Sequence, residues 1–505
     1  MAEVSLAGVT ARPAAQSGFA LCALTLLSGL LLQKIALPGT GGIYPLSLLM
    51  FPAATAVFFV AGVLEINTAA FIWYALFVLM GTLSTAMSLS PHVSGLSFGF
   101  LLVAQFPLVF RCASSEIPYQ RILNFASTLG CVSALIGVLQ FAGQFVLGID
   151  VAFFLDMHLP ENMTVTGYNS MIPLYWSSSV YKSNGVFFLE PSFFCQFLAI
   201  AVVAELMAGP RALRLLVLTA GLVCSYSGTG LTMLALFIPF YLLHHGHSRL
   251  FFFAALLLPV LIFFSGALSI DAFTRRVNEF SDVQSSGWAR FLSMFSVLRT
   301  VVFANDLTFF LGRGPGTVQE QFHQFSFSAF DPTWGKVIYE YGLLGSLVYF
   351  RFFYVAFCKG PKGLRFAVGY TYLFLGGYLL NPSVLMQLAA LVVWLGKTSV
   401  ATARTDTAAL RITAPDASVT RPAKEALLTV SCAPTSATRI KSASRTIEDL
   451  RYMLPSRTAE PDSREWNQVC ERRRLFPCKQ EREAASAAIS QPKFEKKCGR
   501  FSLSF

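Results

Sequence analysis

The stretch SNGVFFLEPSFFCQFLAIA, residues 183–201, places the carboxylate of Glu190 and the ring of Pro191 between two aromatic runs. The apolar run that begins after Pro191 extends over 192–208. About 20 mostly apolar residues cross the hydrocarbon core of a membrane as a helix, and proline suits the first turn of a helix. The stretch therefore predicts a membrane helix that begins beside a carboxylate.

Apolar runs of this kind recur along most of the chain. Of all residues, 54% are hydrophobic and 13% are charged, whereas about 25% of the residues in soluble domains are charged. The runs predict an all-α, polytopic integral membrane protein with about 12 transmembrane helices. They lie near 18–33, 43–63, 69–87, 93–110, 122–147, 192–208, 212–227, 229–243, 250–268, 337–357, 366–380 and 384–396. The segment LNPS (380–383) predicts a break between the last two runs, because proline disfavours helical backbone in the residue before it.

The distribution of lysine and arginine over the short loops predicts the orientation of these helices. Short loops on one side of the membrane contain arginine or lysine; they are 111–121, 209–214, 244–249 and 358–365. The alternate short loops contain neither residue, apart from Lys34. Basic short loops face the cytoplasm, and an even number of spans returns the chain to the side where it began. Both termini are therefore predicted to be cytoplasmic.

The chain divides into a membrane part and a polar tail. Residues 1–396 form the predicted membrane domain, in which 148–191 and 269–336 are two large loops on the outer face. The tail, 397–505, contains 20 Lys and Arg against 12 Asp and Glu and has little apolar periodicity, so we expect it to be cytoplasmic and largely disordered. Because most of the net charge of +11 belongs to this tail and no folded basic face is visible, nucleic-acid binding is not expected.

The second outer loop is rich in arginine, whose planar guanidinium donates a fork of hydrogen bonds that suits phosphate groups. The candidates in this loop are Arg276, Arg290, Arg299 and Arg313. The loop contains as many acidic as basic residues, so ion pairs within the loop are the alternative. The segment GWARFLSMFSVLRTVVF (287–303) has the periodicity of one amphipathic helix, on which Arg290 and Arg299 fall on opposite faces. At most one of the two is therefore expected at the centre of a site.

Two further patterns carry weaker signals. The glycine-rich segment LGRGPG (311–316) lacks the Gly-Lys-Ser/Thr ending of a phosphate loop, so it predicts a turn before a helix that starts near Thr317. The cysteines contain no CxxC pair, and the histidines within 244–247 have no carboxylate beside them. Neither a disulfide framework nor a zinc site is therefore expected.

Glu190 has two explanations that the pattern leaves equally open. A carboxylate at the mouth of a membrane helix is costly and by default indicates function. The alternative is structural: Glu190 would be the N-cap of the helix that starts at Pro191, where the helix dipole favours a negative charge. The two explanations differ in what the side chain must contact.

The quoted stretch also resembles a known family. SNGVFFLEPSFFCQFLAIA is similar to the Gly-hydrophobic-Phe-x-Glu-Pro-Ser-x-Phe segment of bacterial polysaccharide polymerases of the O-antigen polymerase and ligase type. GWARF (287–291), LGRGPG and KVIYEYGLLGSLVYF (336–350) resemble, in that order, the second signature of the family. SYSGTGLTML (225–234) resembles its small-residue span, and the whole resemblance covers about residues 120–395.

The resemblance implies a membrane glycosyltransferase that uses a polyprenyl-diphosphate-linked glycan, with no metal ion, cofactor or nucleotide sugar. Such an enzyme polymerises lipid-linked oligosaccharide repeat units into an exopolysaccharide or O-antigen-like polymer on the periplasmic face of the bacterial inner membrane. Flippase and chain-length regulator proteins are its expected partners. Glu190 and Arg290 match positions that imply catalytic roles. The expected substrate-binding residues are Arg276, Arg299, Arg313, Asp331 and Glu340.

Two other functions stay open. O-antigen ligases commonly carry a His-Asn pair where this chain has Asp331 and Pro332, ahead of the acid that matches Glu340, and this departure favours a polymerase over a ligase. The second alternative is a transporter for polysaccharide or a solute. A transporter is expected to place polar groups near the bilayer midplane, often within internal repeats, whereas the charges here lie at the ends of the predicted spans and in the outer loops.

Overall fold

The computed structural model describes residues 7–88, 90–113, 119–175, 178–246, 285–322, 324–325, 329–357 and 361–395. Within these ranges the chain is mostly helical, as predicted. The predicted span near 250–268, Arg276 and the tail 397–505 lie outside the described residues.

The helices follow one another with short connections, apart from the two long loops. In chain order they are α1 (Ala7–Leu31), α2 (Ser47–Val60), α3 (Thr68–Met87), α4 (Gly95–Gln105), α5 (Tyr119–Val146), α6 (Ile149–Ala152), α7 (Phe154–His158), α8 (Pro191–Ala208), α9 (Ala212–Cys224), α10 (Thr229–His244), α11 (Ser286–Phe291), α12 (Ser293–Val297), α13 (Asp306–Leu311), α14 (Val318–Phe322), α15 (Thr333–Phe357), α16 (Lys362–Phe374) and α17 (Pro382–Leu388). One small ladder departs from the all-α prediction, because β1 (Leu64–Ile66) pairs antiparallel with β2 (Phe110–Cys112).

Within the described part of the chain, α3, α5 and α8 are long and apolar enough to cross a membrane. Several of the other predicted spans correspond to apolar helices that are shorter, such as α2, α9 and α10. The prediction that the chain is helical and has membrane-type helices is thus supported, and the full set of about 12 spans stays a prediction.

The long helices run up and down, so that their loops collect at two ends of the bundle. Thr229, at the start of α10, donates a hydrogen bond from Oγ1 to the carbonyl of Ser192, at the start of α8 (3.2 Å). Gln120, at the start of α5, donates from Nε2 to the carbonyl of Ala208, at the end of α8 (2.6 Å). We call the end that contains the start of α8 the Glu190 end and the other one the opposite end.

At the opposite end, α8 is held by a buried carboxylate that the sequence analysis did not single out. The side chain of Glu205 is fully buried and accepts two hydrogen bonds of 2.7 Å from the guanidinium of Arg211. Ser127 donates a third hydrogen bond from its hydroxyl. Because a buried charge without a partner is strongly destabilising, this bidentate pair fixes the end of α8 against α5 and the loop before α9.

Glycines allow the neighbouring helices to approach α8 closely. A Cβ atom placed on Gly130 of α5 would lie 2.3 Å from the Cβ of Ala201 in α8. A Cβ atom on Gly221 of α9 would lie 2.8 Å from a methyl group of Leu198 in α8. Since side chains cannot approach that closely, glycine at these two positions sets the spacing of the helices around α8.

The break predicted from LNPS is confirmed. Helix α16 ends at Phe374 and α17 begins at Pro382, and the side chain of Asn381 caps α17 by accepting a hydrogen bond from the backbone of Val384 (3.2 Å). The residues between the two helices turn toward the Glu190 end.

The prediction of one regular helix over 287–303 is wrong. Helix α11 ends at Phe291, α12 begins at Ser293, and a π-helical turn follows over Leu298–Val302. Ser293 donates from its hydroxyl to the carbonyl of Ala289. Such bonds to the carbonyl four residues earlier bend helices, and the hydrophobic periodicity gives no sign of them.

Candidate functional site

A cavity of about 380 Å³ opens at the Glu190 end of the bundle. Its charged lining residues are Glu190, Arg290, Asp331 and Lys336. They come from the start of α8, the last turn of α11, the loop before α15 and the first turn of α15. The structure thus brings together three of the predicted site residues, which lie in both predicted outer loops, and adds a lysine.

Glu190 occupies the N-cap position of α8, but its side chain does not cap the helix. Its backbone is extended (φ −146°, ψ 162°), and no backbone N–H of the first turn donates to its carboxylate. Instead, one oxygen accepts from the backbone N–H of Asn169 (3.2 Å) and the other from the hydroxyl of Ser192 (3.0 Å). The carboxylate therefore lies between the loop before α8 and the cavity, where a bound hydroxyl can reach it.

Arg290 reaches the cavity from α11, a helix that begins with a side-chain cap. The hydroxyl of Ser285 accepts from the backbone N–H of Trp288 (3.2 Å), which fixes the first turn. The guanidinium of Arg290 lies over the ring of Phe330, at 5.1 Å from its centroid. It forms no salt bridge with any carboxylate that the structure describes. A guanidinium held by an aromatic face keeps its hydrogen-bond donors for an anion.

Lys336 and Asp331 form a second charged group on the cavity wall. The ammonium of Lys336 lies 3.0 Å from Oδ2 of Asp331 and 3.9 Å from Oε1 of Glu340. Gln319 also donates to Oδ2 of Asp331 (3.2 Å). Burial alone would lower the pKa of Lys336, but the negative charges of Asp331 and Glu340 outweigh it and raise the pKa above its usual value. The ion pair with Asp331 therefore favours the charged form of Lys336 beside the cavity.

Aromatic rings complete the wall around Glu190. The rings of Tyr168 and Phe193 meet edge to face with their centroids 5.7 Å apart, and Phe193 and Tyr378 do so at 5.2 Å. The hydroxyl of Tyr378 donates to the side-chain oxygen of Gln196. Asn381 donates to the hydroxyl of Tyr168 (3.5 Å). The cavity thus combines flat apolar faces with a few polar groups, as in sites for small organic ligands.

Glu340 does not line the cavity but positions the glycine-rich turn behind it. Its side chain is 1% exposed and accepts a hydrogen bond from the backbone N–H of Gly316 (3.0 Å). Its carbonyl accepts from Gly314 (3.0 Å). The turn at 312–316 precedes α14, which begins at Val318, so the predicted turn and helix start are confirmed.

The other predicted arginines lie away from the cavity or outside the described residues. Arg313 is part of the glycine-rich turn, where its carbonyl accepts a hydrogen bond from the hydroxyl of Ser88 and its backbone N–H donates to Tyr339. Arg299 is exposed on the π-helical turn and is not a cavity residue. Arg276 lies outside the described part of the chain. Among the arginines of this loop that the structure describes, Arg290 reaches the cavity, which agrees with the expectation that at most one of Arg290 and Arg299 is central.

The sequence analysis did not select Lys336, Tyr378 and Gln319. Lys336 directly precedes a predicted span, and its spacing from Asp331 is the one sequence signal that could have paired the two residues. Tyr378 and Gln319 carry no such signal, because only the fold brings their segments together.

No protein-family model matches the chain, and no curated protein matches it. Within the described residues, no group of three or more histidine, cysteine, aspartate or glutamate side chains could hold a metal ion.

Proposed function

We propose that this chain is a membrane glycosyltransferase that polymerises lipid-linked oligosaccharide repeat units, with a polyprenyl-diphosphate-linked glycan as donor. The observation that carries this proposal is the convergence of Glu190 and Arg290 on one cavity at an end of a helical bundle. One group can accept a proton and the other can bind an anion, and such a reaction needs both.

Arg290 acts on the leaving group. A lipid diphosphate leaves as an anion, and a guanidinium that forms no salt bridge with the carboxylates in the described ranges can stabilise the charge that develops on it. Lys336 supplies a second positive charge on the same wall, and Asp331 offsets it while no substrate is bound.

Glu190 acts on the acceptor. Its carboxylate accepts from Asn169 and Ser192, which fixes its position while leaving acceptor capacity for a sugar hydroxyl. A carboxylate in this position orients or deprotonates the hydroxyl that attacks the anomeric carbon. Direct attack displaces the diphosphate and inverts the anomeric centre. The rings of Tyr168, Phe193 and Tyr378 provide flat surfaces for the sugars.

The proposed topology has about 12 spans, with both termini in the cytoplasm and the Glu190 end in the periplasm of a bacterium. Supporting this, the short loops at the end of the bundle away from the cavity contain basic residues. Arg211 and Arg214 follow the end of α8. Lys362 begins α16 at the same end, because its neighbour Gly363 lies against Met207 of α8. Positive residues in short loops favour the cytoplasmic side. The proposed partners are the lipid bilayer, a flippase and chain-length regulator proteins.

Analysis of the glycans from a deletion strain tests this function. We expect loss of polymer, with a single repeat unit left on the lipid carrier, and recovery of polymer when the gene is restored. Long polymer that stays on the lipid carrier would instead indicate a ligase. Repeat units that accumulate on the cytoplasmic leaflet would indicate a transporter.

A further inference from the structure

Residues 149–158 expose three large apolar side chains and bury a charged one, while Ala152 and Phe153 pack inward. They form α6 and α7, which follow α5 after Gly148 (φ 86°). Val151, Phe154 and Met157 are 54%, 51% and 50% exposed. Three large apolar side chains so close together on a water-exposed surface are unfavourable.

The inner side of this segment is tied to the bundle by a buried ion pair. The ammonium of Lys34 lies 2.6 Å from Oδ1 of Asp156, and both side chains are 4% exposed. The other oxygen of Asp156 accepts from the side-chain amide of Asn184 (3.0 Å). Burial lowers the pKa of Lys34 to about 8, and the negative charge of Asp156 opposes that shift. The pair fixes which face of α7 points inward, so the apolar face must point outward.

The exposed apolar face continues the surface of a membrane-type helix. Helix α5 ends with Phe145 and Val146, which are 63% and 82% exposed, and Leu147 after it is 63% exposed. At 28 residues, α5 is about 42 Å long, while the hydrocarbon core is about 30 Å thick. The last turns of α5 therefore reach the headgroup region at the Glu190 end, and α6 begins there.

We propose that α6 and α7 lie in the boundary between headgroups and acyl chains of the leaflet at the Glu190 end, with Val151, Phe154 and Met157 inserted among the lipids. Interfacial helices of this kind bury their apolar face about 5–10 Å deep. The exposed Asp150 and His158 flank the apolar residues and remain among the headgroups. This proposal does not depend on the chemistry proposed for the cavity, since neither Glu190 nor Arg290 enters the argument.

Depth-dependent fluorescence quenching tests this placement. An environment-sensitive fluorescent amino acid is introduced at Phe154 or at Met157 of the full chain, which is then reconstituted in vesicles of phosphatidylcholine and phosphatidylglycerol. The matched control is Asn162, an exposed polar residue in the short turn Glu161–Met163. We expect nitroxide-bearing lipids to quench positions 154 and 157 roughly threefold more than position 162, and iodide to show the reverse order.

Two results would overturn the proposal. Iodide quenching at Phe154 and Met157 equal to that at Asn162 would place the segment in water. Protection from both quenchers would show that protein covers the face. In that case, the protein is diluted in the vesicles. If the nitroxide-bearing lipids then quench the label, a second copy of the chain covers the face; if the protection persists, another segment of the same chain covers it. Because both substituted side chains are exposed, the label does not disturb the buried Lys34–Asp156 pair.

Discussion

At the scale of single residues, a substitution of Glu190 distinguishes a chemical role of its carboxylate from a structural one. Because its carboxylate makes no capping bond, Glu190→Gln should leave the fold intact and remove the charge. Loss of a general base typically lowers the rate by about 10²–10⁴-fold, whereas loss of a cap costs about 1 kcal/mol of stability. The measurement is the initial rate of polymer formation in isolated membranes, normalised to the amount of the protein. A near-normal rate would show that Glu190 is structural.

Arg290 and Arg299 provide a matched pair of substitutions. Arg290→Lys keeps the positive charge but loses the fork of donors, so we expect the rate of polymer formation to fall about tenfold or more. Arg299→Lys should have little effect, because Arg299 is exposed and away from the cavity. Both variants are assayed at equal protein level. Equal tolerance at the two positions contradicts the role of Arg290 in binding the diphosphate.

Glu340 is expected to affect stability more directly than chemistry. Glu340→Ala leaves the N–H of Gly316 without its acceptor and Lys336 without one of its two carboxylates. A buried polar group that loses its partner costs about 1–3 kcal/mol, so the variant should unfold at a lower temperature in detergent. Glu340→Gln retains an acceptor and is the control. If Glu340→Ala unfolds at the same temperature as the parent but loses activity, Glu340 contacts substrate instead.

The local sequence indicated some of these residues and not others. Glu190 and Arg290 are next to aromatic residues or a proline, which are visible in the local sequence. Asp331 was predicted from its position in a motif. Lys336 faces Asp331 only because α15 begins there and buries both side chains. The role of Glu340 depends on a turn that lies many residues earlier in the chain, so the sequence placed it with the ligand-binding residues.

At the scale of helices, the spacing around α8 depends on glycine. Gly130→Ala puts a methyl group against Ala201, and overpacking of this kind typically costs about 1–3 kcal/mol. Gly99→Ala, in α4, is the matched control because nothing lies within 4 Å of the added methyl group. It should be neutral or stabilising by up to about 1 kcal/mol, since alanine favours helix. Thermal unfolding of the two variants in detergent tests the difference, and equal stability would show that α5 can move away from α8.

Helix boundaries were predictable where a backbone signal marks them. Proline and asparagine in LNPS mark the end of one helix and the start of the next, and both constraints are local. The segment 287–303 shows the limit of such reasoning. Its apolar residues recur at helical spacing, yet Ser293 bends the chain by bonding to the carbonyl of Ala289. A hydrophobic pattern indicates which side chains face inward. It does not indicate that the hydroxyl of a serine will bond to a backbone carbonyl of the same helix.

At the scale of the whole molecule, the two ends of the bundle are expected to face different compartments. Pro160→Cys lies in the loop before α8 and Pro210→Cys lies in the basic loop after it, and both positions are exposed. A membrane-impermeant thiol reagent added to intact spheroplasts should label Pro160→Cys. It should label Pro210→Cys only after permeabilisation, because basic short loops face the cytoplasm. The parent chain, with its native cysteines, gives the background, and the reverse labelling would invert the topology.

The anchoring of α8 at Glu205 limits how the cavity can open. Moving this end of α8 away from α5 would separate the buried carboxylate of Glu205 from the hydroxyl of Ser127, and a buried polar group that loses its partner costs about 1–3 kcal/mol. In the proposed reaction, we therefore expect Glu190, at the other end of the same helix, to keep its position while the cavity opens. The proposed glycan would then enter through motion of the segment around Tyr168 and of α11, which carries Arg290. Under this proposal, the opening of these two segments would limit the turnover rate. Helix α8 would keep a fixed position, against which each new repeat unit is aligned.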